Sequence, residues 1–169
     1  MAMKAKNYRE VKGQSYTRKK YAKSAPPSKI VKFTMGDTET EFPIKAELIA
    51  LESAQIRHNA LEAARIASNR HLSTNLGEAY FLKILPYPHV ILRENKMIFG
   101  AHADRLQDGM RRAFGKPIGT AARVKVQQPI IEVGVNETAI ETAKQALKRG
   151  GAKLPIPCRI TIEKRKSNP

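Results

Sequence analysis

The sequence predicts an α+β fold: a two-layer α/β sandwich with two helices on one face of a mixed, mostly antiparallel sheet. Three observations predict it. Short apolar or alternating runs recur at strand length, two alanine-rich segments carry helical spacing, and the two kinds of segment are interleaved. The order is strands, helix, two strands, a long loop, two strands, helix, strand, and one layer of helices on one sheet is the economical packing for it.

From Lys29 the chain alternates and turns at Met35-Gly36-Asp37, which predicts a strand and hairpin. Leu48-Ile49-Ala50-Leu51 reads as a short buried strand. Asn59 followed three residues later by Glu62 resembles a capping box, and the helix it opens should pack through Ala60, Ala63, Ala64 and Ala67. Tyr80–Leu85 and His89–Arg93 read as strands joined through Pro86-Tyr87-Pro88. Thr120–Val126 and Ile130–Val135 are two more. A second helix is expected from the N-cap Asn136, with Ala139, Ile140, Ala143, Ala146 and Leu147 on one side and a stop at Gly150-Gly151. Arg159–Glu163 supplies the last strand. Lys96–Gly119 fits no element, and loops of that length inside a compact domain usually carry function.

The chain has 169 residues, 31 Lys+Arg against 15 Asp+Glu, and a formal charge of +16. Such a chain travels with a polyanion. Residues 1–32 hold ten basic residues and one acidic, whereas residues 33–99 hold seven and eight; 100–125 and the segment from 151 onward carry the remaining excess. With 41% hydrophobic residues there is material for a core, so wholesale disorder is excluded. No apolar run approaches a membrane span, and the single Cys158 can form neither an internal disulfide nor a zinc cluster. An intracellular, nucleic-acid-associated protein is expected. Its predicted organisation is a basic extended arm over 1–28, a body over 29–166 that contains a functional loop at 100–118, and a tail at 167–169.

No catalytic site emerges. Gly109-Met-Arg-Arg-Ala-Phe-Gly115-Lys116-Pro117 suggests a phosphate loop, but it has one residue too many between its glycines. It also carries Pro117 where the magnesium-binding hydroxyl belongs. His58, His71, His89 and His102 lie in separate elements without ligand spacing, so they read as surface or satisfied structural histidines, and no metal or cofactor is expected. Cys158 reads as a small buried apolar group. Glu39, Glu41, Glu47 and Glu52 read as a solvated face.

The nucleic-acid features are stronger. Tyr8, Tyr16 and Tyr21 alternate with Lys6, Arg9, Lys12, Arg18, Lys19, Lys20 and Lys23 in the arm, where cations can neutralise phosphates and rings can stack on unpaired bases. In the loop, Arg105, Arg111, Arg112 and Lys116 surround Met110, Phe114 and the glycines 100, 109, 115 and 119. Glycines let a backbone approach phosphate, and Met and Phe can wedge against bases or sugars.

The segment His102-Ala-Asp-Arg-Leu-Gln-Asp-Gly-Met-Arg-Arg-Ala-Phe-Gly-Lys-Pro-Ile-Gly-Thr-Ala-Ala-Arg-Val124 resembles the signature of a universal large-subunit ribosomal protein family, called L-sixteen in bacteria and L-ten-e in archaea and eukaryotes. Leu61-Glu-Ala-Ala-Arg-Ile66 and Ala146-Leu-Lys-Arg-Gly-Gly-Ala-Lys-Leu-Pro155 resemble it too, and the arm with Tyr8-Arg9 looks archaeal. His102 stands where the family is expected to carry glycine. The resemblance implies a non-enzymatic constituent of the cytoplasmic ribosome, embedded in rRNA beside neighbouring large-subunit proteins. It implies rRNA contacts through the arm cations and tyrosines, Lys116, Arg123 and Lys153. It further implies a loop of Asp104, Arg105, Gly109, Met110, Arg111, Arg112 and Phe114 directed to tRNA in the A and P sites. On the residues alone, a free-standing RNA-binding regulator or RNA-modifying factor, or a DNA-compacting protein, stays open.

Overall fold

The computed structural model describes residues 11, 13–15, 17, 19–22, 24–101 and 109–165, the side chains of Lys19 and Arg112 excepted. Eight strands and two α-helices follow in the order β1 (Thr34–Gly36), β2 (Ile44–Ala50), β3 (Ala54–Arg57), α1 (His58–Leu76), β4 (Phe81–Ile84), β5 (Val90–Glu94), β6 (Lys116–Val124), β7 (Pro129–Val135), α2 (Ile140–Gly151) and β8 (Cys158–Lys164). They form the expected α+β sandwich, with its strands divided between two sheets. One has five strands in the order β1-β4-β7-β2-β8, the other three in the order β3-β6-β5, and every described pairing is antiparallel.

The division arises at a shared corner. β2 runs into β3 through residues 51–53, and β6 into β7 through 125–128; there Ala50 N donates to Gln128 O (3.0 Å) and Gln127 N to Ala50 O (2.8 Å). The β2–β7 ladder therefore continues round the bend into the β3–β6 ladder. A register shift at Leu48/Ile49 supplies the extra residue that lets a strand change direction.

β2 alternates strictly, burying Ile44, Ala46, Leu48 and Ala50, while Leu51 is exposed. It is thus a longer, half-buried strand and not the fully buried run expected over 48–51. The turn after Gly36 is real, since the Asp37 carboxylate accepts the backbone N–H groups of Glu39 (2.9 Å) and Thr40 (3.2 Å). It does not make a hairpin, because β1 pairs with β4.

α1 starts two residues earlier than expected, directly off β3, with Arg57 as N-cap and no side-chain cap. Asn59 lies inside the first turn, and Glu62 forks onto Arg65 (2.9 and 2.6 Å) instead of closing a capping box. Its buried side is His58, Leu61, Ala64, Ser68 and Leu72; of the alanines expected there, only Ala64 is fully buried. In α2 the buried side is Ala143, Ala146, Leu147 and Gly150, and Asn136 caps a preceding 3-10 turn (Glu137–Ala139) rather than the α-helix. The helices cross closely at Gly150, where a Cβ would strike Ser68 Oγ; that hydroxyl donates to Ala146 O (3.2 Å). α2 packs on β2, β7 and β8, and α1 on β3, β4 and β6, so one apolar cluster joins both helices to both sheets. No described helix is long and apolar enough to cross a membrane.

Candidate nucleic-acid interface

The three-stranded sheet gathers the features that the sequence assigned to nucleic acid. β5 and β6 are the two sides of a hairpin whose intervening residues form the long loop. Strand β6 begins at Lys116, so the last three positions of the expected 100–118 loop are strand. Arg93, opposite Pro117, clamps the open end of the stem. Its Nη2 donates to Gly115 O (2.6 Å), its Nε to Phe114 O (3.3 Å), and its guanidinium lies 4.1 Å from the centre of the Phe114 ring. Asn95 Nδ2 donates to Gly109 O (2.8 Å) across the same gap. Gly115 (φ 70°) passes so close to the Glu94 backbone that no side chain fits there.

Beyond the clamp the chain turns outward. Gly109, Met110, Arg111 and Arg112 form a 3-10 turn in which Met110 is 84% exposed and Arg111 is exposed. Across the loop, Phe99 is 86% exposed and Met97 more than half exposed, so the described flanks of the loop present large apolar groups beside Arg111. Asp104, Arg105 and His102 lie outside the described residues, as does the side chain of Arg112.

The arm joins the same sheet. Ile91 N on β5 donates to Thr17 O (2.9 Å), and Arg123 on β6 donates from Nη2 to Gly13 O (2.7 Å). Val90, Ile91 and Leu92 are all buried in succession, which requires cover on both faces of the strand, and these bonds put the arm alongside it. Lys20 and Tyr21 are exposed, with Lys20 Nζ 5.7 Å from the tyrosine ring centre. Lys6, Tyr8, Arg9, Lys12, Tyr16, Arg18 and Lys23 lie outside the described residues, and so does the side chain of Lys19. Lys116 is exposed at the stem. Lys153 is exposed too, but beyond the end of α2 and away from the three-stranded sheet.

The five-stranded sheet pairs more of its charge than the three-stranded one, although Lys83 on β4 and Arg159 on β8 also have no carboxylate partner among the described residues. On the five-stranded sheet Lys45 reaches Glu47 (2.6 Å) and Glu132 (3.6 Å), Arg165 reaches Glu132 (3.4 Å) and Lys164 reaches Glu137 (2.9 Å). Glu47 is therefore an ion-pair partner and not merely solvated. Arg57, Arg111, Lys116, Arg123 and Lys125 of the three-stranded sheet and its loop have no carboxylate partner among the described residues. Uncompensated cations on a rigid sheet, beside exposed apolar tips, are suited to phosphates and bases. Arg93 and Asn95 escaped the sequence reading because their role depends on a stem register that a loop of this length hides.

The remaining candidates resolve as structural. His58 is buried and its Nδ1 accepts Lys29 N (2.8 Å). Cys158 is half-buried, and burial pushes its thiol up, away from the reactive thiolate.

A family model described as ribosomal protein L16p/L10e matches residues 11–161. The large ribosomal subunit protein uL16 of Staphylothermus marinus is 53% identical over 160 residues, covering 94% of this chain and 92% of the relative. That of Methanosphaerula palustris is 54% identical over 160 residues with the same coverage, and that of Methanococcus maripaludis 48% identical over 163 residues, covering 96% and 94%.

Proposed function

The chain belongs to the ribosomal protein L16p/L10e family, and on that premise we propose that it binds large-subunit rRNA and helps organise the tRNA-binding sites beside the peptidyl-transferase centre. It is a structural constituent of the large ribosomal subunit, in the cytoplasm, and not an enzyme. In the proposed division of labour, the arm (1–28) and the cations Lys116, Arg123 and Lys153 of the body (29–166) hold rRNA. The loop beyond the Arg93 clamp reaches tRNA in the A and P sites through Asp104, Arg105, Gly109, Met110, Arg111, Arg112 and Phe114.

The observation that carries this reading is the unpartnered charge of the three-stranded sheet, on which arm and loop stem are both anchored. Arg93 and Arg123 are held by backbone and ring contacts, and Arg57, Arg111, Lys116 and Lys125 have no carboxylate partner among the described residues, so these cations reach a polyanion without first breaking ion pairs. Met110 and Phe99, exposed on the two flanks of the loop, favour a surface that meets bases.

The test separates anchoring from tRNA contact. Arg111→Ala with Arg112→Ala removes two forked donors from a turn outside the core, and folding stability should change by no more than about 0.5 kcal/mol. Mutant subunits should still incorporate the protein through arm and body, yet have weaker P-site tRNA affinity or slower peptidyl transfer. Stoichiometrically loaded mutant subunits with wild-type values in both assays would refute the tRNA role.

A further inference from the structure

The helix layer carries a second basic feature, remote in sequence from arm and loop. A cleft of about 610 Å³ opens between the C-terminal halves of α1 and α2, lined by Ala67, Arg70, His71, Thr74, Arg149, Ala152 and Lys153. Its existence follows from the Gly150–Ser68 crossing, which draws the helices together, and from the alanines at 67 and 152, which leave the space beside it unfilled.

Three full positive charges line this cleft and no carboxylate does. Arg70, Arg149 and Lys153 are all exposed, and none of their side chains has an ion-pair or hydrogen-bond partner among the described residues. By contrast, Arg65 earlier on α1 and Lys144 earlier on α2 are each paired with a glutamate three residues away. The neutral groups of the wall are already engaged or shielded: Thr74 Oγ1 donates to Arg70 O (2.7 Å), Asn75 Nδ2 donates to His71 O (2.6 Å), and His71 Nε2 is shielded from solvent, so the charged side chains carry the recognition. The C-terminal ends of the α1 and α2 dipoles lie nearby and disfavour anions, but together they amount to about one charge against three.

We propose that this cleft seats the phosphate backbone of large-subunit rRNA, with Arg70, Arg149 and Lys153 as the charged contacts. The protein would then be gripped from its helix layer as well as from its three-stranded sheet. The inference rests on the rRNA reading above, which already gives Lys153 to rRNA, and adds Arg70 and Arg149 beside it in one cleft. Phosphate is favoured over an acidic protein because none of the large exposed apolar residues lines the cleft, and protein interfaces are anchored by such groups.

The experiment is a salt series of binding between the full-length protein and deproteinised large-subunit rRNA. Replacing Arg70, Arg149 and Lys153 by Gln should flatten the log–log salt slope by about 2 to 3, and each single substitution should take off about 0.7 to 0.9. The charge-preserving set Arg70→Lys, Arg149→Lys and Lys153→Arg should restore the slope, and circular dichroism should be the same throughout. A steep wild-type slope left unchanged by the Gln substitutions overturns the cleft alone. No salt-dependent binding by the wild type overturns the rRNA reading, and the cleft with it. Unchanged rRNA binding with association lost only when other large-subunit proteins are added would assign the cleft to an acidic protein and also overturn the proposal.

Discussion

The five-stranded sheet and the three-stranded sheet share a corner, a helix layer and a core, yet they are stabilised in different ways. The larger one alternates along β2, buries β7 from Ile130 to Val135 and pairs Glu47 and Glu132 with its own cations. The smaller one leaves its cations without carboxylates and relies on the arm for cover along β5. A ribosomal protein gains from this asymmetry. Under the proposed function, the sheet that carries the loop keeps its charge available for RNA, while the other pairs Glu47 and Glu132 internally.

The largest effect should come from the self-sufficient sheet. Ile131 is fully buried at the centre of β7, and Ile131→Ala should cost about 2–5 kcal/mol of folding stability. Urea unfolding measures this. The salt slope for rRNA should stay at the wild-type value for whatever protein remains folded, because no charge is removed. A changed slope would mean that the two sheets are not separable in function.

Removing residues 1–28 should do the reverse. More than half of the excess charge lies within the first 32 residues, so the salt slope should fall by roughly half. Stability should drop by about 1–2 kcal/mol as Ile91 and its neighbours lose cover on one side. Hydrogen exchange locates the loss: amides of β5 should exchange faster while β2 and β7 keep their protection. Equal loosening of both sheets would erase the contrast.

What the sequence made legible follows the same line. Faces are local properties, so the apolar side of α2 (Ala143, Ala146, Leu147) and most strand positions could be read from spacing. Partners are not local. β1 was expected in a hairpin and pairs with β4, and nothing in the spacing of residues 44–57 reveals that the chain changes sheets after Ala50. The cation-rich arm and loop were visible as composition. The tie of Arg123 to Gly13, the clamp at Arg93 and the cleft at Arg70 and Arg149 needed distant segments brought together.

A smaller perturbation tests the stem itself. Arg93→Ala removes one guanidinium–ring contact and two bonds to carbonyls at a half-exposed position, so stability should fall by only about 1 kcal/mol. Amide exchange at residues 113–116 should rise more than anywhere else. Under the proposed function, P-site tRNA affinity in loaded subunits should weaken although no residue of the tip has changed. Arg93→Lys should not rescue it, because an ammonium cannot make the same fork over the ring.

The smallest effect should be the pH dependence set by His58, where the arm enters the body. His58 opens α1, and its Nδ1 accepts the Lys29 amide. Gly119 of β6 lies so near that a Cβ there would come within 3.1 Å of Nε2. Burial, then the charges of Arg57 and Lys29, hold the imidazole below its ordinary value of 6.5. The native protein therefore takes up this proton less readily than the unfolded chain. Stability from His58 is complete above pH 6.5 and is lost as pH falls below it toward the folded value. Asp37 and Glu137 shift downward from 3.8 and 4.5, so neither contributes appreciably between pH 6.5 and 5. Urea midpoints should decline across that window in the wild type and stay flatter in His58→Gln, whose amide oxygen can still accept from Lys29. The proton also turns Nδ1 from acceptor to donor against the Lys29 N–H. Exchange at Lys29 and Gly119 should therefore quicken by pH 5 before the amides of the five-stranded sheet respond. A midpoint shift that survives in His58→Gln, or one that appears first in β2 and β7, would assign the pH response to the wrong sheet for this account.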